Sequence, residues 1–184
     1  MDFRVKAEIL SAQDIHRIIT RLAHEILEKN RGSKDLVIVG IHTRGAHLAS
    51  RISKKIAEIE NYEIPTGFLD ITLYRDDFRT RLKQPAVEVT NIPFKIDEKN
   101  IVLVDDVLYT GRTIRSALDA LMDFGRPQRI FLAVLVDRGH RELPIRPDFV
   151  GKNIPTSIGE EVKVLLQESD GEDKVLLVEE PSQN

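Results

Sequence analysis

The sequence predicts an α/β fold: a mostly parallel central sheet with helices on both faces. Three observations predict it. Consecutive apolar residues recur at 36–41 (LVIVGI), 101–104 (IVLV) and 130–137 (IFLAVLVD), as in strands buried on both sides. Between these runs lie segments with apolar residues at helical spacing, and strands joined through helices pair in parallel. No internal repeat or low-complexity linker interrupts the 184 residues, so a single domain over 1–184 is expected, long enough for one well-buried core.

The elements follow in order. A first helix is predicted from near Ser11 to about Asn30: Ile15, Ile18, Ile19, Leu22, Ala23, Ile26 and Leu27 share one face, and Gly32 closes it. After the strand 36–41, HTRG makes a loop and residues 46–60 a helix. Residues 67–74 (GFLDITLY) read as a strand. The polar stretch 75–100, with Pro85 and Pro93, reads as a long mobile excursion. A helix carrying Ile114, Ala117, Leu118 and Leu121 follows the strand at 101–104 and ends at Gly125 and Pro127. Segments 162–166 and 175–178 read as an antiparallel pair about a turn at Ser169–Asp170–Gly171.

Composition sets bounds. The chain has no cysteine, so disulfide and thiol chemistry are excluded. It has no apolar run of about 18 residues for a membrane span, and MDFRVKAEIL lacks the apolar core of a secretory signal; a cytoplasmic protein is expected. The net charge of −3 conceals an asymmetry. Residues 160–184 hold eight acidic and two basic residues, leaving 25 basic against 22 acidic in 1–159. Local basic surface is therefore available, and the acidic end reads as a solvated edge.

The most informative stretch is IVLVDDVLYTGRT at 101–113. A buried strand runs into two adjacent carboxylates, Asp105 and Asp106, then a hydroxyl-bearing loop, Thr110–Gly111–Arg112–Thr113, then a helix. A loop with free N–H groups at a helix start suits a phosphate, and carboxylates at a strand end can accept hydrogen bonds from sugar hydroxyls. That edge of a parallel sheet is where ligands bind. Taken alone, TGRT fits ordinary helix capping as well, and Asp105 could be a salt-bridged structural acid. No G-x-x-x-x-G-K-[ST] or G-x-G-x-x-G is present. Thr43 and Arg44 follow a buried strand to the same edge, where an arginine can meet pyrophosphate with two parallel hydrogen bonds or stand as a surface residue.

VDDVLYTGRT resembles the phosphoribosyl-pyrophosphate (PRPP) motif of the type I phosphoribosyltransferases. VGIHTRG at 39–45, DITLYRDD at 70–77, VLVDRGHRELPIR at 134–146 and GKNIPTS at 151–157 resemble, in this order, the branch of that family that regulates pyrimidine operons and also acts as a uracil phosphoribosyltransferase. The likeness runs from about residue 8 to about residue 180. It implies the type I phosphoribosyltransferase fold with a small hood built partly from about 150–184. It implies transfer of the phosphoribosyl group from PRPP to uracil, giving UMP and diphosphate, with Asp105, Asp106 and Arg44 carrying catalysis. Asp105 and Asp106 would meet the ribose hydroxyls, directly or through Mg²⁺, and Leu108 to Thr113 would wrap the 5′-phosphate. The substrate-binding set is then Thr43, Arg44, Asp105, Asp106, Val107, Leu108, Tyr109, Thr110, Gly111, Arg112 and Thr113, with the base near Arg138 and Val162. The loop at Thr43 would contain a strained non-proline peptide, of which a cis bond is one form. Tyr74, Arg75, Asp76 and Asp77 would open a flexible loop that closes over the site, from which Arg79, Arg81 and Lys83 could reach pyrophosphate.

A second function rests on other residues. Thr20 and His24 share a helical face, and Arg141, Arg146 and Lys152 lie in the proline-broken segment 138–157. Such groups suit RNA phosphates and unpaired bases, or a plain solvated surface. The resemblance implies that they form a basic face on a homodimer or tetramer that binds pyr operon leader mRNA, with UMP or UTP raising the affinity. Glu25, Glu28 and Glu142 dilute that basic character. Three functions stay open: a dual protein, an enzyme without RNA binding, and an RNA regulator that keeps the transferase site as a nucleotide sensor.

Overall fold

The computed structural model of the chain describes residues 3–74 and 89–179. Five strands form one parallel sheet in the order β3 (Thr66–Leu69), β2 (Leu36–Ile41), β4 (Asn100–Leu108), β5 (Arg129–Asp137), β6 (Phe149–Asn153). The apolar runs at its centre bury both faces because successive side chains point to opposite sides. On one side Leu36, Ile38, Val102, Val104, Ala133 and Leu135 pack under α1 (Ala12–Asn30) and α2 (Arg44–Glu60). On the other, Val37, Val39, Ile101, Leu103, Leu132 and Val134 pack under α3 (Arg112–Met122).

The helix α1 begins as expected. Ser11 and Asp14 form a capping box, and the chain leaves through Arg31 in the left-handed conformation, with the Gly32 N–H donating to the Leu27 carbonyl. Gly40 lets α2 lie directly on β2: a Cβ there would stand 2.5 Å from the Gly45 carbonyl oxygen and 2.7 Å from Ala49 Cβ. That close approach fixes the loop between β2 and α2 on the rim of the sheet.

Several boundaries differ from expectation. The strand read at 67–74 covers only Thr66–Leu69, then a 3₁₀ turn at Thr72–Tyr74. Asp70 ends the strand, its Oδ1 accepting from the Thr72 N–H and hydroxyl. Of the long excursion, 75–88 fall outside the described residues. Its return limb is anchored, with Phe68 and Asn91 paired as a β-bridge and Ile96 fully buried. The helix read at 46–60 begins two residues earlier, at Arg44.

The hood also differs. It is a three-stranded antiparallel sheet of β1 (Arg4–Leu10), β8 (Lys174–Glu179) and β7 (Glu160–Leu165). The pairing of β7 with β8 is the predicted one, but α4 (Gln167–Asp170) replaces the simple turn. The first strand was not anticipated, because RVKAEIL leaves all but its last two residues exposed and shows no buried face. Residues 149–153 belong to the main sheet as β6, so the hood combines the N-terminal strand with residues from 160 onward. Val162, Val164, Leu166 and Val175 from the hood pack in the same cluster as Leu10, Ile15 and Leu22. One continuous core thus serves both sheets.

Candidate active site

Three neighbouring strands of the sheet, β2, β4 and β5, end on one rim. The register pairs Gly40 with Val104 and Leu108 with Asp137, so the loops after these strands emerge side by side. Each loop carries one of the residue groups singled out in the sequence.

The acid pair lies within β4 rather than after it. Asp105 pairs in register with Val134, and the strand continues to Leu108. The Asp106 N–H donates to Asp105 Oδ1 at 2.9 Å, and the Val107 N–H to Asp106 Oδ1 at 2.8 Å. Asp105 is only 7% exposed, whereas Asp106 is half-buried. Burial first, and the neighbouring Asp106 charge second, hold the Asp105 carboxyl well above the usual carboxylate range. Such a pair calls for a cation or for hydroxyl donors in front of it.

Next comes the phosphate-type loop. Gly111, at φ +94°, turns the chain from the end of β4 into α3, so that helix starts at the rim. The Arg112 N–H donates to Thr110 Oγ1 at 3.3 Å. The segment after β5 folds over this loop as an outer wall. The Arg138 N–H donates to the Leu108 carbonyl, and the Glu142 and Leu143 N–H groups to Thr110, while Leu143 and Ile145 close on Gly111. Arg112 Nε pairs with Glu142 at 2.8 Å.

Beside β4, the His42–Thr43 peptide is cis, as the family likeness implied. Thr43 is the exposed cap position of α2 and Arg44 its first residue. Gly45 sits against the acid pair: a Cβ there would stand 2.5 Å from the Val104 carbonyl oxygen and 3.3 Å from Asp105 Oδ1. The Arg44 guanidinium is held by Asp170 of the hood, Nη2 to Oδ1 at 2.7 Å and Nε to Oδ2 at 3.2 Å. The acidic end of the chain is thus in part an ion-paired surface, with Arg51 bound to Glu168 and Asp173, and not a purely solvated edge.

The third loop opens a pocket of about 380 Å³ lined by Tyr109, Arg138, His140 and Ser157–Glu161. The Arg138 guanidinium lies over the Tyr109 ring, 3.9 Å from its centroid. Nη2 donates to the Glu160 carbonyl at 2.6 Å and Nε to Thr156 Oγ1 at 3.3 Å. Val162, expected near the base, is a buried residue of β7 two positions beyond the pocket's Glu160. His140 and Ser157 fall inside the family-like segments without an assigned role, and residues 158–161 lie outside them. Nothing in IPTSIGEE marks a wall, and only the return of the chain against Tyr109 makes it one.

The phosphoribosyl transferase domain family matches residues 6–169. A bifunctional protein PyrR from Thermus aquaticus is 62% identical over 176 residues, covering 96% of this chain and 97% of that protein. The bifunctional protein PyrR of Deinococcus radiodurans is 59% identical over 172 residues, 94% of each chain. The chain belongs to the PyrR family of phosphoribosyltransferases. A hypoxanthine phosphoribosyltransferase from Staphylococcus aureus superposes with a TM-score of 0.69 at 23% identity, over 98% of this chain and 96% of that one. One from Trypanosoma cruzi gives 0.71 at 16%, over 96% and 98%. The type I phosphoribosyltransferase fold predicted from the sequence is the observed one.

The donor set of this PyrR-family chain fits Mg²⁺, the ion phosphoribosyltransferases generally use with PRPP. Asp105 and Asp106 lie side by side at the rim, and Mg²⁺ binds through one or two carboxylates, taking its other ligands from water and substrate oxygens.

The remaining expected residues are placed as follows. Tyr74 caps the 3₁₀ turn and its hydroxyl donates to Asp123; Arg75, Asp76, Asp77, Arg79, Arg81 and Lys83 lie outside the described residues. Thr20 is half-buried on α1 with its hydroxyl donating to the His16 carbonyl, and His24, Arg146 and Lys152 are exposed. Arg21 ties α1 to the open edge of β6, donating to the carbonyls of Val150 and Gly151, so Lys152 and the α1 residues adjoin. Arg141 differs from the others. Its guanidinium is turned inward, to Asp137, the Tyr109 carbonyl and the Ile145 carbonyl, and braces the wall over the phosphate loop. No helix among the described residues is long and apolar enough to cross a membrane.

Proposed function

We propose that the protein joins N1 of uracil to the anomeric carbon of PRPP, releasing diphosphate and forming UMP. It further binds pyr operon leader mRNA in a manner strengthened by uridine nucleotides. The observation that carries the transferase reading is the arrival of three groups on one rim: the acid pair, the phosphate-type loop at the start of α3, and the Thr43–Arg44 loop. They flank the Tyr109–Arg138 pocket.

The reaction breaks the bond from the anomeric carbon to pyrophosphate and builds positive charge on the ribose ring, so the protein's task is to position, neutralise and exclude water. Gly111–Thr113 hold the 5′-phosphate through backbone N–H groups. Asp106, the more accessible of the pair, accepts from a ribose hydroxyl, and the Asp105 charge behind it favours the cationic ring. Asp105 and Asp106 would hold Mg²⁺, which when bound would supply positive charge against the diphosphate. Arg44 meets the same diphosphate. The base lies in the pocket beside Arg138, where backbone groups of the 159–162 stretch supply the donor and acceptor that a uracil edge requires. No side chain is required as general base.

RNA is met by Thr20, His24, Arg146 and Lys152 on α1 and the β6 side, in a cytoplasmic homodimer or tetramer. Arg141, the fifth residue expected on that face, also braces the wall beside the phosphate-type loop through Asp137 and the carbonyls of Tyr109 and Ile145. UMP or UTP in the PRPP site strengthens RNA binding, and by linkage RNA strengthens nucleotide binding to the same degree.

UMP formation from uracil, PRPP and Mg²⁺, together with a leader-RNA titration with and without UMP, tests both halves. Asp106→Asn is expected to reduce transfer by about 100-fold or more, the scale of one lost transition-state contact, and to leave most RNA affinity. Unchanged transfer would remove Asp106 from the site.

A further inference from the structure

We propose that Asp170 is a positioning residue of the transferase, fixing from the hood the orientation in which Arg44 meets diphosphate. This rests on the reading of Arg44 given above. A guanidinium carries five N–H donors in a rigid fork. The contact with Asp170 engages one side of the fork, Nε and Nη2. The outer side, Nη1 with the second Nη2 hydrogen, stays geometrically able to meet a phosphate with two parallel bonds.

The carboxylate that aims it is itself immobilised. Asp170 Oδ2 accepts from the Leu166 N–H at 2.8 Å, and the Asp170 N–H donates to the Leu166 carbonyl at 2.7 Å. Two helical turns beyond Arg44, on the same face of α2, Arg51 sets the register. Its nitrogens contact both oxygens of Glu168 and both of Asp173, and Asp173 Oδ1 also accepts from the Gln167 N–H. The connection between β7 and β8 is thereby seated on α2 by Arg51, independently of Arg44. The Arg44–Asp170 pair adds a contact at the residue of that helix read as meeting diphosphate. A free arginine would lose its rotamer freedom when diphosphate arrives; here much of that ordering is done beforehand.

Diphosphate is held both in PRPP and in the transition state, so such an effect falls on the KM for PRPP more than on kcat. The test is steady-state kinetics of UMP formation with Mg²⁺ for the wild type, Asp170→Asn, Arg44→Ala, the double variant and Asp173→Asn. Asp170→Asn keeps an acceptor for Leu166 but loses the charge. It is expected to raise the KM for PRPP about ten-fold, one charge-assisted contact's worth, and to weaken diphosphate as product inhibitor by the same factor, leaving kcat and the KM for uracil nearly unchanged. In the Arg44→Ala background it is expected to do nothing further. Asp173→Asn, which loosens the hood without touching Arg44, is expected to leave the KM for PRPP alone. A parallel rise in the KM for uracil, an additive double variant, a PRPP effect of Asp173→Asn equal to that of Asp170→Asn, or a lowered KM for PRPP each overturns the positioning role. If Arg44→Ala itself leaves the KM for PRPP unchanged, the diphosphate reading of Arg44 fails. If Arg44→Ala raises it and Asp170→Asn is silent, only the role of Asp170 falls.

Discussion

Replacing Gly45 by alanine probes the junction between α2 and the acid-bearing strand at its tightest point. The added Cβ would stand 2.5 Å from the Val104 carbonyl oxygen and 3.1 Å from Asp105 Cα, both backbone atoms that no rotamer change can move. Ordinary contact begins near 3.4 Å, so the start of α2 must retreat by about 0.9 Å. Thr43 and Arg44 travel with it, away from Asp105 and Asp106. Overpacking of this kind costs about 1–3 kcal/mol of stability, and a 1 Å misplacement of a positioning group costs about 100-fold in rate. Gly45→Ala is therefore expected to lower kcat/KM for UMP formation by about two orders of magnitude while the protein stays folded. Gly32→Ala provides the contrast: it has φ +107° but nothing within 4 Å of the added carbon, far from the rim. It should lose about 1 kcal/mol from backbone strain and keep full kcat/KM. Urea denaturation and steady-state kinetics on both variants decide the matter. A Gly45→Ala enzyme within about three-fold of wild type, at undiminished stability, would show that the two loops are not held in register by this contact.

Other consequences follow from the same geometry. Asp105→Asn keeps the Oδ1 that accepts from Asp106 and removes a buried charge; transfer should collapse, while stability at pH 7 should hold or rise by about 1 kcal/mol. Loss of stability in urea would mean that the Asp105 charge is compensated within the fold. Lys6 holds Glu160, and Arg51 holds Glu168 and Asp173, below the usual carboxylate range; for Asp170 burial pushes up, but the Leu166 N–H and Arg44 outweigh it and hold the carboxyl low. Folding then binds fewer protons than unfolding near their ordinary values of 3.8 and 4.5, so their contribution is complete above about pH 5 and fades as the pH falls through 4 and below. In the Asp105→Asn background, which removes the opposing contribution of a carboxyl held above its ordinary range, denaturation midpoints at pH 7, 5 and 3.5 should show a flat region and then a fall; a midpoint that rises on acidification in that variant contradicts this. Arg146→Ala should weaken leader-RNA binding and reduce the slope of log affinity against log salt by about 1, with transfer unaffected; equal affinity in the variant takes Arg146 off the RNA face.

Much of this protein was legible in its residues. Unbroken apolar runs at 36–41, 101–104 and 130–137 demanded cover on both faces, and that demand alone implies a parallel sheet between helices. The Asp105–Asp106 pair ahead of Thr110–Thr113 marked the rim where three strands end, because charge, hydroxyl and helix start are all local properties. What escaped was non-local. β1 carries no buried stripe and exists through its pairing with β8. β6 is five residues long in a stretch that reads as loop. Arg141 resembles a surface cation and is a brace, because its partners at 109, 137, 139 and 145 meet only in the fold. Composition could show that 160–184 is acidic but not that Glu168, Asp170 and Asp173 face the arginines of α2. The amino-acid order determined which groups carry charge, hydroxyls and apolar surface, since periodicity and turn chemistry act over a few residues. The tertiary structure decided which of those groups neutralise one another and which are left for a ligand, since ion pairs and packing depend on distances the chain closes only when folded.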